Sequence, residues 1–299
     1  MIAQNTLSYS YLGTKGYDAM WRKKLYDFGR HLLQEERSEA TIEKYTRDTQ
    51  HFIGWLEKRS LEKEIVIQYK EHLASEYAPA SVNSMLAAIN GFLDFIGRGE
   101  CRVKTLKIQR KVFCAQEKEL SKAEYLRLLE AANRTNHQRI ALIMQTICST
   151  GIRVSELRFI TAEAVRKGVA EVRSKGKSRP VLLPKQLCSL LAEYTIQKKI
   201  ESGPVFVTRS GRPIDRSNVW AQMKKLCDDA HVSPSKVFPH NLRHLFARTF
   251  YGVEKDLCHL ADLLGHSSVD TTRIYTMTTG AEQLAQLDSL GLLSPCKSA

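Results

Sequence analysis

Apolar residues recur at helical spacing through the first third of the chain. Side chains three and four positions apart lie on one face of an α-helix, and two such stripes are Ile42, Tyr45, Thr49, Phe52, Ile53 and Leu56, followed by Val82, Met85, Leu86, Ile89, Leu93 and Ile96. The pattern predicts four helices between residues 25 and 97. Ser38 is placed to cap the second helix, and Pro79 suits the first turn of the fourth, where its missing N–H costs no hydrogen bond.

The helical pattern stops between residues 98 and 118 and returns at Ser121. Ser121 and Glu124 form a capping-box signature ahead of a helix, and an apolar helix over residues 140–149 ends at Gly151. Short apolar runs at 169–172 and 180–183 flank a polar turn and predict a hairpin, and residues 204–208 are a candidate third strand. Residues 218–293 are helical again in pattern. The predicted fold class is mainly α with a small antiparallel β-sheet (α+β).

These changes of pattern divide the chain. We expect a flexible N-terminal tail over residues 1–20 and a helical domain over 21–97. A basic linker over 98–118 and a second domain with a C-terminal tail helix over 119–293 follow. The linker has the composition of a solvated connection between domains when it is considered alone.

The charge of the chain is unevenly distributed. The 299 residues contain 45 Lys and Arg against 32 Asp and Glu, a net charge of +13, which favours a polyanionic partner such as nucleic acid or an acidic membrane surface. Residues 98–118 hold seven basic and two acidic residues, and residues 166–179 hold six and one, whereas residues 1–97 hold 12 and 13. The surplus is therefore concentrated in the linker and the hairpin.

Membrane and secretory classes are disfavoured by the same composition. The longest apolar runs, such as residues 140–144, are far shorter than a membrane span, and the first 20 residues lack the basic start and apolar segment of a signal peptide. Seven widely spread cysteines, with no C-x-x-C pair, fit a reducing compartment. We expect a cytoplasmic protein, associated with the nucleoid if the source is bacterial.

Two alternative sites, a phosphate-binding loop and a zinc-protease helix, are each disfavoured by one residue of their motif. The segment ending in Gly176-Lys177-Ser178 resembles a phosphate-binding loop, but that motif requires glycine where Glu171 stands. His240 and His244 are spaced like zinc ligands, with His259 and His266 as further candidates. The zinc-protease helix, however, requires glutamate where the chain has Asn241. The sequence therefore predicts no metal site and no nucleotide cofactor.

Four segments together carry the functional signal. They are TGIRVSEL at 150–157, SKGKSR at 174–179, HNLRH at 240–244 and LGHSSVDTTRIY at 264–275. In this order, after a four-helix domain and a linker, the sequence closely resembles the tyrosine site-specific recombinases, the family of phage integrases and Xer-like chromosome-dimer resolvases. The resemblance spans residues 25–293. It implies a C-shaped DNA clamp made of an N-terminal core-binding (SAM-like) domain and a catalytic domain.

The resemblance assigns six catalytic positions in this sequence. It implies Arg153 and Arg243 as the catalytic arginines, Lys175 as the hairpin lysine, His240 and His266 as the histidines, and Tyr275 as the nucleophile. All six positions carry residue types that the family uses. Two departures concern substrate details, because Leu245 follows His244 where the family often has Ser or Thr, and Thr276-Met277 follows the tyrosine where Thr/Ser-His is common. Glu156 is expected to be structural, orienting an arginine or capping a helix.

The chemistry explains these residue types. Attack of a tyrosine hydroxyl on a phosphodiester develops negative charge on the non-bridging oxygens, which two guanidiniums stabilise with fixed donors. A phenol has an ordinary pKa of about 10, so its full ionisation at pH 7 costs about 4 kcal/mol and a proton acceptor lowers the barrier. We expect His240 to accept that proton, His266 to donate to a phosphate oxygen and Lys175 to protonate the leaving 5′ oxygen. The product is a 3′-phosphotyrosine bond that is resealed without ATP or metal.

The resemblance also implies partners. Double-stranded DNA recombination sites are expected to contact the basic segments through Lys104, Lys107, Arg110, Lys111, Arg173, Lys177 and Arg179. A tail with Leu284, Leu287 and Leu290 near one helical face is either a local core helix or docks on a neighbouring protomer to form a homotetramer on two DNA sites. Accessory DNA-bending or directionality proteins are possible further partners.

Three functional readings remain open besides strand exchange. Two of them use the same chemistry, namely a relaxing topoisomerase of type IB and a hairpin-forming resolvase. From another class, a sequence-specific DNA-binding regulator would retain the fold without catalysis. The complete set of six residues is evidence against the regulator.

Overall fold

The computed structural model describes residues 17–57, 59–108, 119–174, 177–208, 210–266, 268–276, 284–285 and 287–290. The chain divides into two compact units, Met1–Arg110 and Lys111–Ala299. No helix in these described ranges is long and apolar enough to span a bilayer.

The first unit contains the four predicted helices. They are α1 (Tyr17–Gln34), α2 (Glu39–Leu56), α3 (Lys63–Glu76) and α4 (Pro79–Phe95). Phe28, Phe52 and Phe92 are fully buried where the helices meet. Because α1 begins at Tyr17, the predicted tail is wrong for residues 17–20, and its residues 1–16 lie outside the described part.

The predicted local signals at the helix ends are confirmed. The Ser38 hydroxyl accepts a hydrogen bond from the Thr41 N–H at 3.3 Å, which satisfies one of the free donors at the start of α2. Pro79 is the first residue of α4.

The first half of the predicted linker packs on the first unit instead of forming a solvated connection. Cys101 and Val103 are buried in the core of that unit, after a short 3₁₀ helix at Gly99–Cys101. The Asn90 and Asn83 side chains of α4 each exchange a pair of hydrogen bonds with the backbone of Val103 and Leu106 respectively, at 2.7–3.1 Å. The two side-chain amides thus satisfy backbone N–H and C=O groups that an extended segment would otherwise hydrogen-bond to water. Residues 109–118 lie outside the described part.

The second unit is mostly helical around a small hairpin. Its elements are α5 (Lys122–Arg134), α6 (Gln138–Thr150), a 3₁₀ helix (Val154–Phe159), α7 (Ala162–Lys167), β1 (Val169–Ser174), β2 (Lys177–Leu182) and α8 (Lys185–Gln197). They are followed by α9 (Arg216–Lys224), α10 (Cys227–Ala230), a 3₁₀ helix (Pro234–Lys236), α11 (Pro239–Glu254), α12 (Leu257–Leu264), α13 (Val269–Thr272) and a final 3₁₀ helix (Arg273–Thr276). The mainly α class with a small antiparallel sheet is confirmed.

The hairpin is the only sheet among the described residues. β1 and β2 pair antiparallel, with Val169 opposite Leu182 and Ser174 opposite Lys177. The predicted third strand at 204–208 is wrong, because this segment makes only isolated bridges, Thr161 with Pro204 and Val207 with Pro213. Its apolar residues Val205 and Phe206 are buried in the core, so they gave a strand-like pattern without a strand.

Helix α6 runs through the centre of the second unit. Eight of its residues are buried, from Ile140 to Thr150, so it is apolar on more than one face. It ends at Gly151, which has a left-handed φ of +66°, as its sequence position predicted. The capping box of α5 is also present, because Ser121 and Glu124 exchange hydrogen bonds at 2.8 and 3.2 Å. The loop after Gly151 leads directly into the candidate site.

Candidate active site

Arg153 lies in the turn between α6 and the 3₁₀ helix Val154–Phe159. Its backbone is extended, and its N–H donates to Glu156 Oε2 at 2.8 Å while its guanidinium donates to Glu156 Oε1 at 2.9 Å. The Glu156 side chain is buried, whereas Arg153 keeps 40% of its side-chain surface exposed. The expectation that Glu156 is structural is confirmed, because this carboxylate both caps the helix and holds the arginine while leaving it accessible to an anion.

Arg243 comes from the first turns of α11 and is almost completely buried. Its guanidinium donates to the carbonyl oxygens of Gly151 at 2.5 Å and Leu264 at 2.9 Å, which ties the end of α6 to the end of α12. Burial and then the nearby Arg153 charge lower the pKa of Arg243, while interaction with Tyr275 opposes this shift. Arg153 and Arg243 repel each other in a site that is partly shielded from water. Because an anion between them would relieve this repulsion, the pair forms a binding position for an anion.

His266 connects Arg243 to α13. Its Nε2 lies 2.9 Å from the Arg243 guanidinium, and its Nδ1 lies 2.8 Å from the hydroxyl of the buried Thr272. A guanidinium only donates, so Nε2 accepts and the proton resides on Nδ1, which donates to Thr272. Burial, followed by the Arg243 charge, lowers the pKa of His266 to about 4. His266 thus orients Arg243 in this structure, which differs from the expected donation to a phosphate oxygen.

Tyr275 lies inside this group of side chains. It is buried in a small apolar cluster with Ala247, Leu260 and Leu264, in the 3₁₀ helix that follows α13. Its ring lies parallel to that of His266 at a centroid distance of 6.1 Å. Tyr275, the predicted nucleophile, therefore lies beside Arg243 and His266 of the same chain.

Two histidines of α11 complete the arrangement. The rings of His240 and His244 meet edge to face at 4.5 Å, and the ring of His244 meets Tyr275 edge to face at 4.7 Å. Partial burial and the charges of Arg243, Arg216 and Arg153 lower the pKa of His240, and burial lowers that of His244 to about 4. Both imidazoles are therefore neutral at pH 7, and a neutral imidazole can accept a proton.

The structure brings five of the six predicted catalytic residues into one site: Arg153, His240, Arg243, His266 and Tyr275. The sixth, Lys175, lies outside the described residues, between Ser174 of β1 and Lys177 of β2 in the sequence.

The residues predicted to contact DNA have different environments. Lys104, Lys107 and Arg173 are exposed, whereas Arg110 and Lys111 lie outside the described residues, as does the side chain of Lys177. Arg179 is turned into the protein, where its guanidinium donates to Glu156 and to the Leu263 carbonyl oxygen. A guanidinium held in this way is part of the site's interior, which corrects the expectation that Arg179 lies on the DNA-facing surface.

Sequence reasoning missed three residues near the site. Thr272 fixes the tautomer of His266, His244 packs on Tyr275, and Arg216, exposed at the start of α9, is close enough to affect the pKa of His240. His244 had a usable signal, because residues four apart share a helix face with His240. Thr272 and Arg216 had none, since their contacts depend on the tertiary fold.

Among the described residues, no group of three or more His, Cys, Asp or Glu side chains is placed to hold a metal ion. His259, one of the four histidines considered above as ligands, packs edge to face on Phe250 instead.

Comparisons with known proteins identify the family of the chain. Residues 118–282 match the phage integrase family, and residues 25–99 match its N-terminal SAM-like domain. The chain is 28% identical to the tyrosine recombinase XerD of Vibrio cholerae over 270 residues, covering 84% of this chain and 89% of that protein. It is 31% identical to the tyrosine recombinase XerA of Thermococcus kodakarensis over 263 residues, covering 85% and 90%.

The fold has a solved counterpart in the XerH site-specific recombinase bound to palindromic difH substrate in a post-cleavage complex. The TM-score is 0.69 at 19% identity, over 95% of this chain and 91% of that chain. The family match covers more than half of the chain and coincides with the unit that holds the arginines, histidines and tyrosine described above. The chain therefore belongs to the phage integrase family and is a tyrosine-type site-specific recombinase.

Proposed function

We propose that this recombinase cleaves and rejoins DNA strands through a 3′-phosphotyrosine bond at Tyr275, with a free 5′ hydroxyl as the other product and without ATP or metal. The observation that carries the proposal is the position of Tyr275 beside Arg243 and two neutral imidazoles. The covalent link keeps the energy of the phosphodiester, so the 5′ hydroxyl of a second strand can reverse the reaction.

The two arginines stabilise the transition state in this proposal. Arg243 is held by two carbonyl oxygens and His266, and a guanidinium has five N–H donors, so donors remain for a phosphate oxygen. Arg153 is held on one side by Glu156 and is exposed on the other. Their mutual repulsion is relieved as negative charge develops between them, which favours the transition state over the free site.

Proton transfers are assigned to the remaining groups. His240 is the acceptor for the Tyr275 proton, consistent with the lowered pKa that keeps its ring neutral. Lys175, at the hairpin turn, protonates the leaving 5′ oxygen. His266 acts first on Arg243, because its Nε2 accepts from that guanidinium.

Covalent trapping tests the mechanism. A nicked duplex with randomised arms loses a short fragment on cleavage, so the covalent adduct accumulates and the trapped DNA can be sequenced to obtain the site. We expect an adduct on denaturing gels that is absent for Tyr275→Phe, and a released fragment whose new 5′ hydroxyl polynucleotide kinase can label. An adduct that persists in Tyr275→Phe contradicts the assigned nucleophile, and DNA binding by wild type without an adduct favours the silent regulator.

The same site then separates recombination from relaxation. Two copies on one plasmid should yield exchanged products, whereas a topoisomerase would relax the plasmid without exchange. The proposed partners are double-stranded DNA and three further copies of the chain, assembled through the tail that carries Leu284, Leu287 and Leu290, with accessory DNA-bending or directionality proteins as additional factors. All three leucines are exposed, which supports an intermolecular contact over a local core helix.

A further inference from the structure

The side chain of Arg179, on β2, extends from the hairpin into the candidate active site. Arg179 donates from Nη1 to the Leu263 carbonyl oxygen at 2.8 Å and from Nη2 to Glu156 Oε2 at 2.9 Å. Only 18% of its side chain is exposed. Arg179 therefore connects the hairpin to the segment before His266 and to the carboxylate that holds Arg153.

The charge of Glu156 requires such a partner. A buried carboxylate next to a phosphate site would repel the substrate, and with Arg153 as its only partner it would neutralise the charge that the phosphate needs. Arg179 shares this carboxylate, because Oε2 accepts from Arg179 and Oε1 accepts from Arg153. The three groups keep a net positive charge, and the exposed side of Arg153 remains accessible to an anion.

The backbone leaves space for this side chain. Gly265 has a φ of +63°, and a Cβ there would lie 2.5 Å from both Cδ and Nε of Arg179. Real Cβ contacts are never that short, so any larger residue would displace the arginine. Gly265 stands between Leu264, whose carbonyl oxygen accepts from Arg243, and His266. Arg179 thus lies against the segment that orients both the Arg243 guanidinium and the His266 ring.

We propose that Arg179 is a positioning residue that fixes the β1–β2 hairpin against Arg153 and the His266 segment. The inference rests on the proposed strand cleavage and goes beyond it by naming a group that acts through Glu156 and not on DNA. The distinction from a DNA contact is measurable, because a phosphate contact contributes to affinity whereas a positioning residue contributes to the rate of chemistry.

The first test compares two arginines of the same hairpin. For Arg179→Ala, we expect the single-turnover cleavage rate at saturating nicked DNA to fall about 10²-fold, with the Kd for intact duplex changed less than about threefold. Arg173→Ala is the matched comparison for a predicted DNA contact, since Arg173 is exposed on β1, and it should raise the Kd for intact duplex. Weaker binding by Arg179→Ala with an unchanged saturated rate would overturn the proposal.

Two readouts separate positioning from general damage to the fold. Arg179→Lys keeps the charge but cannot span both acceptors, so it should recover only part of the rate. A methylphosphonate at the cleavage position removes one phosphate charge and so reduces the need for Arg153. The deficit of Arg179→Ala relative to wild type should therefore shrink on this substrate, whereas a variant damaged by misfolding would keep its full deficit, which would contradict our assignment.

A stability measurement tests the contact between Arg179 and Glu156 separately from the proposed strand cleavage. A double-mutant cycle of Arg179→Ala and Glu156→Gln in urea unfolding reports whether the two side chains interact, with no reference to DNA. Coupling together with no covalent adduct from wild type would refute the proposed mechanism while retaining the contact. Additive effects would refute the positioning role of Arg179 even if wild type forms the adduct.

Discussion

The edge of the His244 imidazole meets the ring of Tyr275, and this contact has two separable meanings. If His244 only packs, His244→Phe preserves an edge-to-face pair and should cleave nicked DNA within a few-fold of wild type. His244→Ala removes the pair, so Tyr275 is less well held and cleavage should fall about tenfold. Single-turnover trapping measures both variants. Equal loss in the two variants would instead make His244 a proton acceptor.

The same histidine gives a pH dependence of stability. Burial lowers the pKa of His244 to about 4, below the ordinary value of about 6.5 that it regains on unfolding. Between these values the unfolded chain binds more protons, so stability is full above pH 6.5 and decreases as the pH falls toward 4. Urea unfolding of wild type and His244→Phe at pH 7 and pH 5 should show a smaller decrease in the variant. An identical decrease would show that His244 does not titrate as its burial implies.

At the scale of elements, the outcome of sequence reasoning depended on the range of the interactions. The caps at Ser38 and Ser121 involve partners three residues away, so both could be predicted from local pattern. The contacts of Leu106 with Asn83 span 23 residues and those of Arg179 with Leu263 span 84. Such pairs exist only after the helices have packed, which is why the first half of the linker and Arg179 were assigned to solvent and to DNA.

The end of α6 is the element that aligns the two arginines. Gly151→Ala should destabilise the protein by about 2–4 kcal/mol, because φ is +66° and the added Cβ would lie 2.4 Å from the Phe246 ring. Gly168→Ala is the matched control, since φ is +71° there but no atom lies within 4 Å, and it should cost about 1–2 kcal/mol. Urea unfolding compares them.

Cleavage should separate these two glycine variants further. The Gly151 carbonyl oxygen accepts from Arg243, so Gly151→Ala should also slow covalent trapping under conditions in which it remains folded, whereas Gly168→Ala should not. Equal destabilisation and equal cleavage by the two variants would contradict a role for this helix end in holding the site.

At the scale of the whole molecule, the charge count overstates the DNA-facing surface of the hairpin region. Arg166 donates to the Glu201 carbonyl oxygen and lies 3.9 Å from Glu163, and Arg179 is held inside. Lys104 and Lys107 of the predicted linker are exposed. Charge that is free of internal partners is what releases counterions from DNA.

Exposed lysines should therefore be visible in the salt dependence of binding. Lys104→Ala and Lys107→Ala should each weaken binding and reduce the slope of log K against log salt by about 0.9, which corresponds to one lost phosphate contact. Filter binding or anisotropy over a range of salt concentrations measures this slope. Arg166→Ala is the comparison, and its slope should remain at the wild-type value. Unchanged slopes for both lysines would place DNA away from this segment.

The role of the tail leucines in assembly can be tested without changing the stability of the monomer. Leu284, Leu287 and Leu290 are exposed by 60, 57 and 58%, so replacing all three with Ser should leave the urea unfolding midpoint and single-site DNA binding unchanged. Burial of a leucine side chain contributes about 1.5–3 kcal/mol, so loss of three at an intermolecular contact should lower recombination between two sites by more than tenfold. Deleting residues after Gly280 should have the same effect.

Matched single substitutions show whether this effect belongs to the tail. Ile196 on α8 is 78% exposed, so Ile196→Ser makes a similar chemical change elsewhere on the surface and should leave recombination unaffected, whereas Leu287→Ser should lower it. Analytical ultracentrifugation of the protein on a two-site substrate should show the tail variants stopping at occupied single sites, because only contacts between protomers have been weakened. A leucine variant that unfolds more readily than wild type would instead make the tail part of its own core, and undiminished recombination after removal of the tail would exclude it from assembly.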